Sequence, residues 1–358
     1  MSLESSAERL SAPFDWARRG WFGWLVRLDF AKNTLCDRDR RIATLASLNV
    51  VVAALGALYF PVLLFALGPV LFGVAHVAAD VRYLVLRRTL AGWWQNAVWL
   101  GCLSLIGVRV LEEFAGFGYA AALELGFGSA FVALGAFAGP SERGSRARAA
   151  LALALLGLAT LAALERPGLA RLVFLHLHNG VAIVLWATLF RAHRRWALLP
   201  LTLLGLGALA LASGLAVRQT LDSPFASSFH LHISTIATWL APFSSARAAL
   251  GVTTAYLFLQ AVHYSAWLSW IPQQEQPRRA TPTYRMSVRA LFRDLGAAGV
   301  AAVALAAAAV VLGACFDLHR ARTLYLSLAT FHGYLELAML AFFWVRGAEQ
   351  ARTPAAVA

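Results

Sequence analysis

Two histidines in this chain are each followed by a carboxylate one helical turn later, inside segments that are otherwise apolar. The first pair is His76 and Asp80, in Gly73-Val74-Ala75-His76-Val77-Ala78-Ala79-Asp80, and the second is His332 and Glu336, in Phe331-His332-Gly333-Tyr334-Leu335-Glu336. Residues at i and i+4 share one helix face. Each pair could therefore bind one metal ion, or the carboxylate of the first pair, Asp80, could orient the His76 imidazole. Ionisable groups inside apolar spans are expensive and generally functional. Histidine with carboxylate suits non-haem iron, zinc or manganese. Gly73 would let a neighbouring helix come close to His76.

Further histidines lie at His176 and His178, in His176-Leu177-His178-Asn179, and at His263, followed by Tyr264. Residues two apart diverge by about 200° on a helix, so only one of His176 and His178 can face a common site. His178 is the favoured one, with Asn179 as its supporting partner. His230 and His232 sit in a long polar connection and could descend onto such a site from above. His193 and His319 fall in short polar loops.

The elements that must position these groups are read from composition. Hydrophobic residues make up 60% of the 358 and charged residues 14%. A soluble surface needs about 25% charged residues. The expected fold is therefore all-α, a polytopic membrane bundle of about ten transmembrane helices. Runs of about 20 apolar residues place these at 42–66, 68–87, 94–112, 118–138, 147–165, 170–191, 196–217, 246–270, 293–316 and 323–345. Residues 1–41 form an amphipathic N-terminal segment, interleaving Phe14, Trp16, Trp21 and Trp24 with Arg18 and Arg19, and 346–358 form a tail. The net charge of +13 would suggest nucleic acid in a soluble protein. Here 23 of the 31 lysines and arginines fall in one set of alternating loops and termini, and only six in the other. That bias sets topology. It predicts an inner or plasma membrane protein of bacterial type with both termini cytoplasmic, and no nucleic-acid partner. The three cysteines, Cys36, Cys102 and Cys315, have no CxxC spacing and build neither a disulfide framework nor a zinc site.

With these spans, His76, His178 and His332 lie about 12–13 Å below the outer ends of their helices, and His263 about 25 Å. Asp80 and Glu336 come one turn deeper. The connection 218–245 would roof the site, with Trp239, Trp267 and Tyr334 lining a substrate tunnel.

The set Gly73-x-x-His76-x-x-x-Asp80, His178-Asn179-Gly180, His263-Tyr264-x-x-Trp267-x-x-x-x-Pro272 and His332-Gly333 resembles the bacterio-opsin-related-protein (Brp/Blh) family of β-carotene 15,15′-dioxygenases. The likeness is carried by short motifs between about 73 and 336. It implies a multi-helix membrane enzyme that holds iron and cleaves a carotenoid at its central double bond to give retinal. It also implies His76, His263 and His332 as first ligands, with Asp80 orienting. Glu336 stands where a second helix-turn histidine is expected, and the His176/His178 pair is a further departure. The function expected is a non-haem metal oxygenase, most simply Fe(II), acting with O₂ on a lipophilic unsaturated substrate, with Asp80 and Glu336 as catalytic carboxylates and Glu336 also a metal ligand. Alternatives are a zinc-dependent lipid hydrolase, a haem-binding electron carrier and a transporter.

Overall fold

The computed structural model describes residues 3–139, 143–190, 194–242, 244–275 and 282–347. His193 and most of the expected tail, 348–358, lie outside them. The described residues are almost entirely helical. Helix α1 spans Leu3–Leu25, α2 Asp29–Cys36, α3 Arg38–Tyr59 and α4 Pro61–Asp80, which continues as a π-helical turn over Val81–Leu86. Then follow α5 Gly92–Ala115, α6 Ala120–Ala138, α7 Arg143–Glu165 and α8 Pro167–Leu185, with a second π segment over Trp186–Phe190. Next come α9 Arg194–Ala212, α10 Val217–Leu221, a two-stranded hairpin of β1 Ser227–Ser228 and β2 Leu231–His232, and α11 Ile233–Leu240. Helix α12 spans Ala246–Ser265 and runs into a third π segment, Ala266–Trp270, then α13 Ile271–Gln274. The chain ends in α14 Tyr284–Phe316, α15 Leu318–Ala329 and α16 Phe331–Arg346.

Among the described residues, eight helices are long and apolar enough to cross a membrane, where about ten were expected. The two expected spans that fall short are α5 and α12. Their polar groups explain the shortfall: α5 carries Gln95, Asn96, Arg109, Glu112 and Glu113, and α12 carries Thr253, Thr254, Gln260 and His263. The four from α12 are buried. Interior polarity lowers the mean hydropathy of α12, whereas on α5 Asn96 and Glu113, near its two ends, are exposed.

Helix ends also differ from the expected ones. The boundary expected at 66–68 falls at Phe60, because Pro61 has no N–H to give α3 and is well placed in the first turn of α4. Helix α14 breaks at Gly296, whose φ of 70° lies in the left-handed region that favours glycine. Its first half packs along α1. There Asp15 accepts hydrogen bonds from the Tyr284 and Arg285 N–H groups (2.6 and 3.3 Å), and Glu8 pairs with Arg289 (2.7 Å). Trp16, Trp21 and Trp24 of α1 remain exposed.

Helices α4, α8, α12 and α16 form the centre, with α6 pressed onto α16. That approach needs glycine: a Cβ on Gly135 would overlap the Ala338 carbonyl, and one on Gly128 the Tyr334 ring. Small residues at such faces let helix backbones meet where lipid supplies no hydrophobic drive. Large apolar side chains on the periphery, such as Leu100, Leu158, Leu209 and Leu305, stay exposed.

Candidate metal centre

Four imidazoles from α4, α8, α12 and α16 meet in the middle of the bundle. Ring centroids are 4.8 Å apart for His76 and His332, 5.3 Å for His76 and His263, 5.2 Å for His178 and His263, and 5.3 Å for His178 and His332. One ring nitrogen from each of His76, His263 and His332 falls within 4.8 Å of the other two, and all three residues are buried.

The helices fix which nitrogen faces inward. His76 Nδ1 lies 3.4 Å from the Phe72 carbonyl, His178 Nδ1 3.0 Å from that of Leu175, and His332 Nδ1 against that of Ala329. Each carbonyl lies three or four residues earlier in the chain, on the same helix for His76 and His178 and at the end of α15 for His332. A carbonyl only accepts, so each Nδ1 carries the proton and each Nε2 presents its lone pair. His76 Nε2 and His332 Nε2 then stand 3.2 Å apart. Two lone pairs at that distance repel unless a proton or a metal cation lies between them. Ligands at the usual zinc–nitrogen length of 2.0–2.1 Å in tetrahedral array sit about 3.3 Å from one another. His263 has no hydrogen-bond partner for either ring nitrogen among the described residues. Its Nε2 lies 3.6 Å from Glu336 Oε1, which accepts a 2.5 Å hydrogen bond from the Trp267 indole N–H. Neutral imidazole donors without protein partners are a donor set suited to a first-row transition metal.

The depths come out differently from expectation. Measured along each helix at 1.5 Å per residue, His76 lies about 22 Å from the start of α4 and His332 about 21 Å from the start of α15, because both helices begin earlier than the apolar runs suggest. At about 25 Å from the start of α12, His263 then joins them rather than lying below.

Several other expected roles are corrected. Asp80 does not orient His76: among the described residues neither of its buried oxygens has a hydrogen-bond partner, and the Phe72 carbonyl holds the ring instead. Glu336 lies outside the three-histidine group and is engaged by Trp267. Asn179 turns back onto the Leu175 carbonyl (3.3 Å) rather than onto His178. His176 points away, to the Leu240 carbonyl at 2.9 Å. His230 and His232 are exposed on the hairpin, where Phe229 and His230 adopt positive φ and His232 accepts from the Ser234 N–H. They do not descend onto the centre. Trp267 is wholly buried beside Glu336, and Tyr334 stacks on Phe174 (4.5 Å) with its hydroxyl toward Glu124 (3.5 Å). Neither lines the cavity that reaches the histidines; Trp239 does.

That cavity has a volume of about 460 Å³ and touches His76, His178 and His332. Sequence reasoning missed much of its wall. Tyr264 packs on His76 at 4.7 Å, and Tyr325 fits where a Gly73 Cβ would stand, its hydroxyl buried without a partner among the described residues. Glu124, 1% exposed, meets Arg109 (3.3 Å) and Arg171 (2.8 Å), and Glu112 pairs with both arginines. A glutamate inside the apolar run Ala120–Ala138 was the available signal for that network. The family models, curated proteins and solved structures compared with this chain contain no match.

Proposed function

We propose that this chain is a membrane-embedded, metal-dependent oxygenase acting on a lipophilic unsaturated substrate. In this reading α5 and α12 complete a set of ten spans with both termini on the cytoplasmic side. The observation that carries the proposal is the 3.2 Å approach of His76 Nε2 and His332 Nε2, with His263 beside them and each Nδ1 of the pair already engaged. His76, His263 and His332 would hold the ion, and His178 stands next to them as a fourth donor. Iron(II) fits this neutral set, and when bound it supplies oxygen activation.

The protein's own contribution is enclosure and orientation. The backbone carbonyls of Phe72 and Ala329 fix two rings, so little reorganisation is needed when a ligand is bound. The buried interior excludes water from a reactive centre. Tyr264, Phe174 and Trp239 offer aromatic walls to an unsaturated chain along the cavity. The likeness of the motifs around His76, His178, His263 and His332 to the carotenoid-cleaving Brp/Blh family supports the same class of chemistry, with retinal formation from a carotenoid as one form of it.

A three-histidine set with an open position also suits zinc hydrolysis of a lipid. One experiment separates the readings. The protein is purified in detergent, its metals are measured, and it is reconstituted anaerobically with Fe(II) or with Zn(II). Oxygen uptake with a polyene only in the Fe(II) form supports the oxygenase. Lipid hydrolysis with zinc and without oxygen would replace it, and a protein that takes up neither metal would sink both.

A further inference from the structure

Among the described residues, no carboxylate pairs with the guanidinium of Arg322. It lies on α15, is 9% exposed, and lines the same cavity as His76, His178 and His332. Its Nε–H donates to the Phe65 carbonyl at 2.7 Å, and its Cζ stands 3.5 Å over the Phe65 ring. Arginine has five N–H donors, and among the described residues this one bond is the only one Arg322 makes. The contrast with its neighbours is sharp. Arg109 and Arg171, which line the same cavity, are neutralised by Glu112 and Glu124. A buried, unpaired cation is costly unless something pairs with it, and a planar guanidinium is the side chain best matched to a carboxylate or phosphate.

The position of Arg322 along the cavity gives the occupant its shape. His332 is ten residues further along α15 and α16, and His76 is eleven residues beyond Phe65 on α4. Both helices therefore place the cation roughly 15 Å from the metal centre. The cavity wall offers apolar contacts from Phe174, Leu175 and Leu326, set among polar side chains such as Asn179, Ser327 and Thr330. Gln260 and Tyr264 also border a second, apolar cavity of about 430 Å³, lined by Phe60, Leu64, Phe72 and Leu268.

We infer that the ligand of this cavity is a lipophilic acid, whose carboxylate or phosphate head pairs with Arg322 while its hydrocarbon chain runs past the histidines. Reaction at the metal would then fall in mid-chain, far from the head. This names the substrate class for the oxygenase proposed above and rests on that reading for its catalytic meaning. The binding itself does not involve the metal.

The test is equilibrium binding to metal-stripped protein in nanodiscs of zwitterionic lipid. The probes are oleic acid, its methyl ester, oleyl phosphate and inorganic phosphate. The expected result is at least tenfold tighter binding of the acid and of oleyl phosphate than of the ester, with inorganic phosphate far weaker than oleyl phosphate. Arg322→Gln should abolish the preference over the ester, and Arg322→Lys should keep part of it. Equal binding of acid and ester to the wild-type protein overturns the inference, as does an Arg322→Gln protein that keeps the preference. Inorganic phosphate binding as tightly as oleyl phosphate also overturns it, since the chain would then play no part. The wild-type comparison decides the matter if Arg322→Gln does not fold. Because metal is absent, a preference for acids stands even if no oxygen is consumed. Oxygen uptake with a neutral polyene and no preference for acids would reject this inference and leave the oxygenase.

Discussion

If His76 and His332 grip one ion, their contributions to metal binding cannot be independent. With Nε2 atoms 3.2 Å apart, removing either imidazole dismantles the same coordination sphere. Loss of a group that merely supports a ligand weakens metal affinity 10–100-fold, so loss of a ligand should cost at least about 100-fold. At a metal concentration 100 times the wild-type Kd, binding stabilises the fold by about 2.7 kcal/mol, and a variant with a 100-fold weaker site keeps only about 0.4 kcal/mol. The assay is thermal unfolding of His76→Ala, His332→Ala and the double variant, with and without metal, alongside direct metal content. The metal-dependent part of the shift should nearly vanish in each single variant and fall little further in the double one. His176→Ala and His230→Ala serve as controls, since the first bonds Leu240 and the second is exposed on the hairpin. Additive effects of the two single changes, or full metal content in either, would refute a shared ion.

The remaining predictions follow from individual contacts. Trp267→Phe removes the donor to Glu336 Oε1 and leaves that carboxyl without a hydrogen bond in a closed interior; thermal melting should register a loss of about 1–3 kcal/mol with metal content retained. Gly73→Ala drives a methyl into the Tyr325 ring, and unfolding should show about 1–3 kcal/mol of overpacking strain; a neutral outcome would mean that Tyr325 moves freely. Glu124→Ala strands Arg109 and Arg171 beside the cavity, and the expected destabilisation is about 2–3 kcal/mol, below the range for a fully buried pair because Arg171 is 21% exposed and Glu112 still pairs with it. At Asp15, burial raises the carboxyl pKa, but the Tyr284 and Arg285 N–H groups and the Arg285 charge outweigh it and hold it below the ordinary value. A lowered pKa means stability present above the unfolded value and lost as pH falls through the folded one. Docking of α1 should therefore weaken only below about pH 4, read by the fluorescence of Trp16, Trp21 and Trp24. Asp15→Asn should remove that transition.

Much of the architecture was legible in the chain because its signals are local. Apolar runs of spanning length require helices, since lipid offers the backbone no hydrogen-bond partner, and eight of the helices among the described residues are long and apolar enough to span. Histidines inside those runs stood out for the same reason. Helical angle required His176 and His178 to point apart, and they do, one to the cluster and one to Leu240.

What the chain could not reveal is whatever depends on where helices begin relative to one another. The apparent 25 Å depth of His263 separated it from its partners until the true starts of α4 and α15 brought all three to one level. Asp80 and Glu336 share their histidines' faces, as i and i+4 residues must, yet a shared face does not imply a shared hydrogen bond, and Asp80 makes none among the described residues. Arg322 looked like one basic residue in a loop, and Glu124 drew no notice within an apolar run. Only packing turned the first into an unpaired cation lining the cavity and the second into the hub of an ion-pair network. Periodicity and hydropathy act over a single helix turn or span and are written along the chain. Mutual depth and the pairing of charges across helices are set by the side chains that separate the helix axes, and these exist only once the bundle has closed.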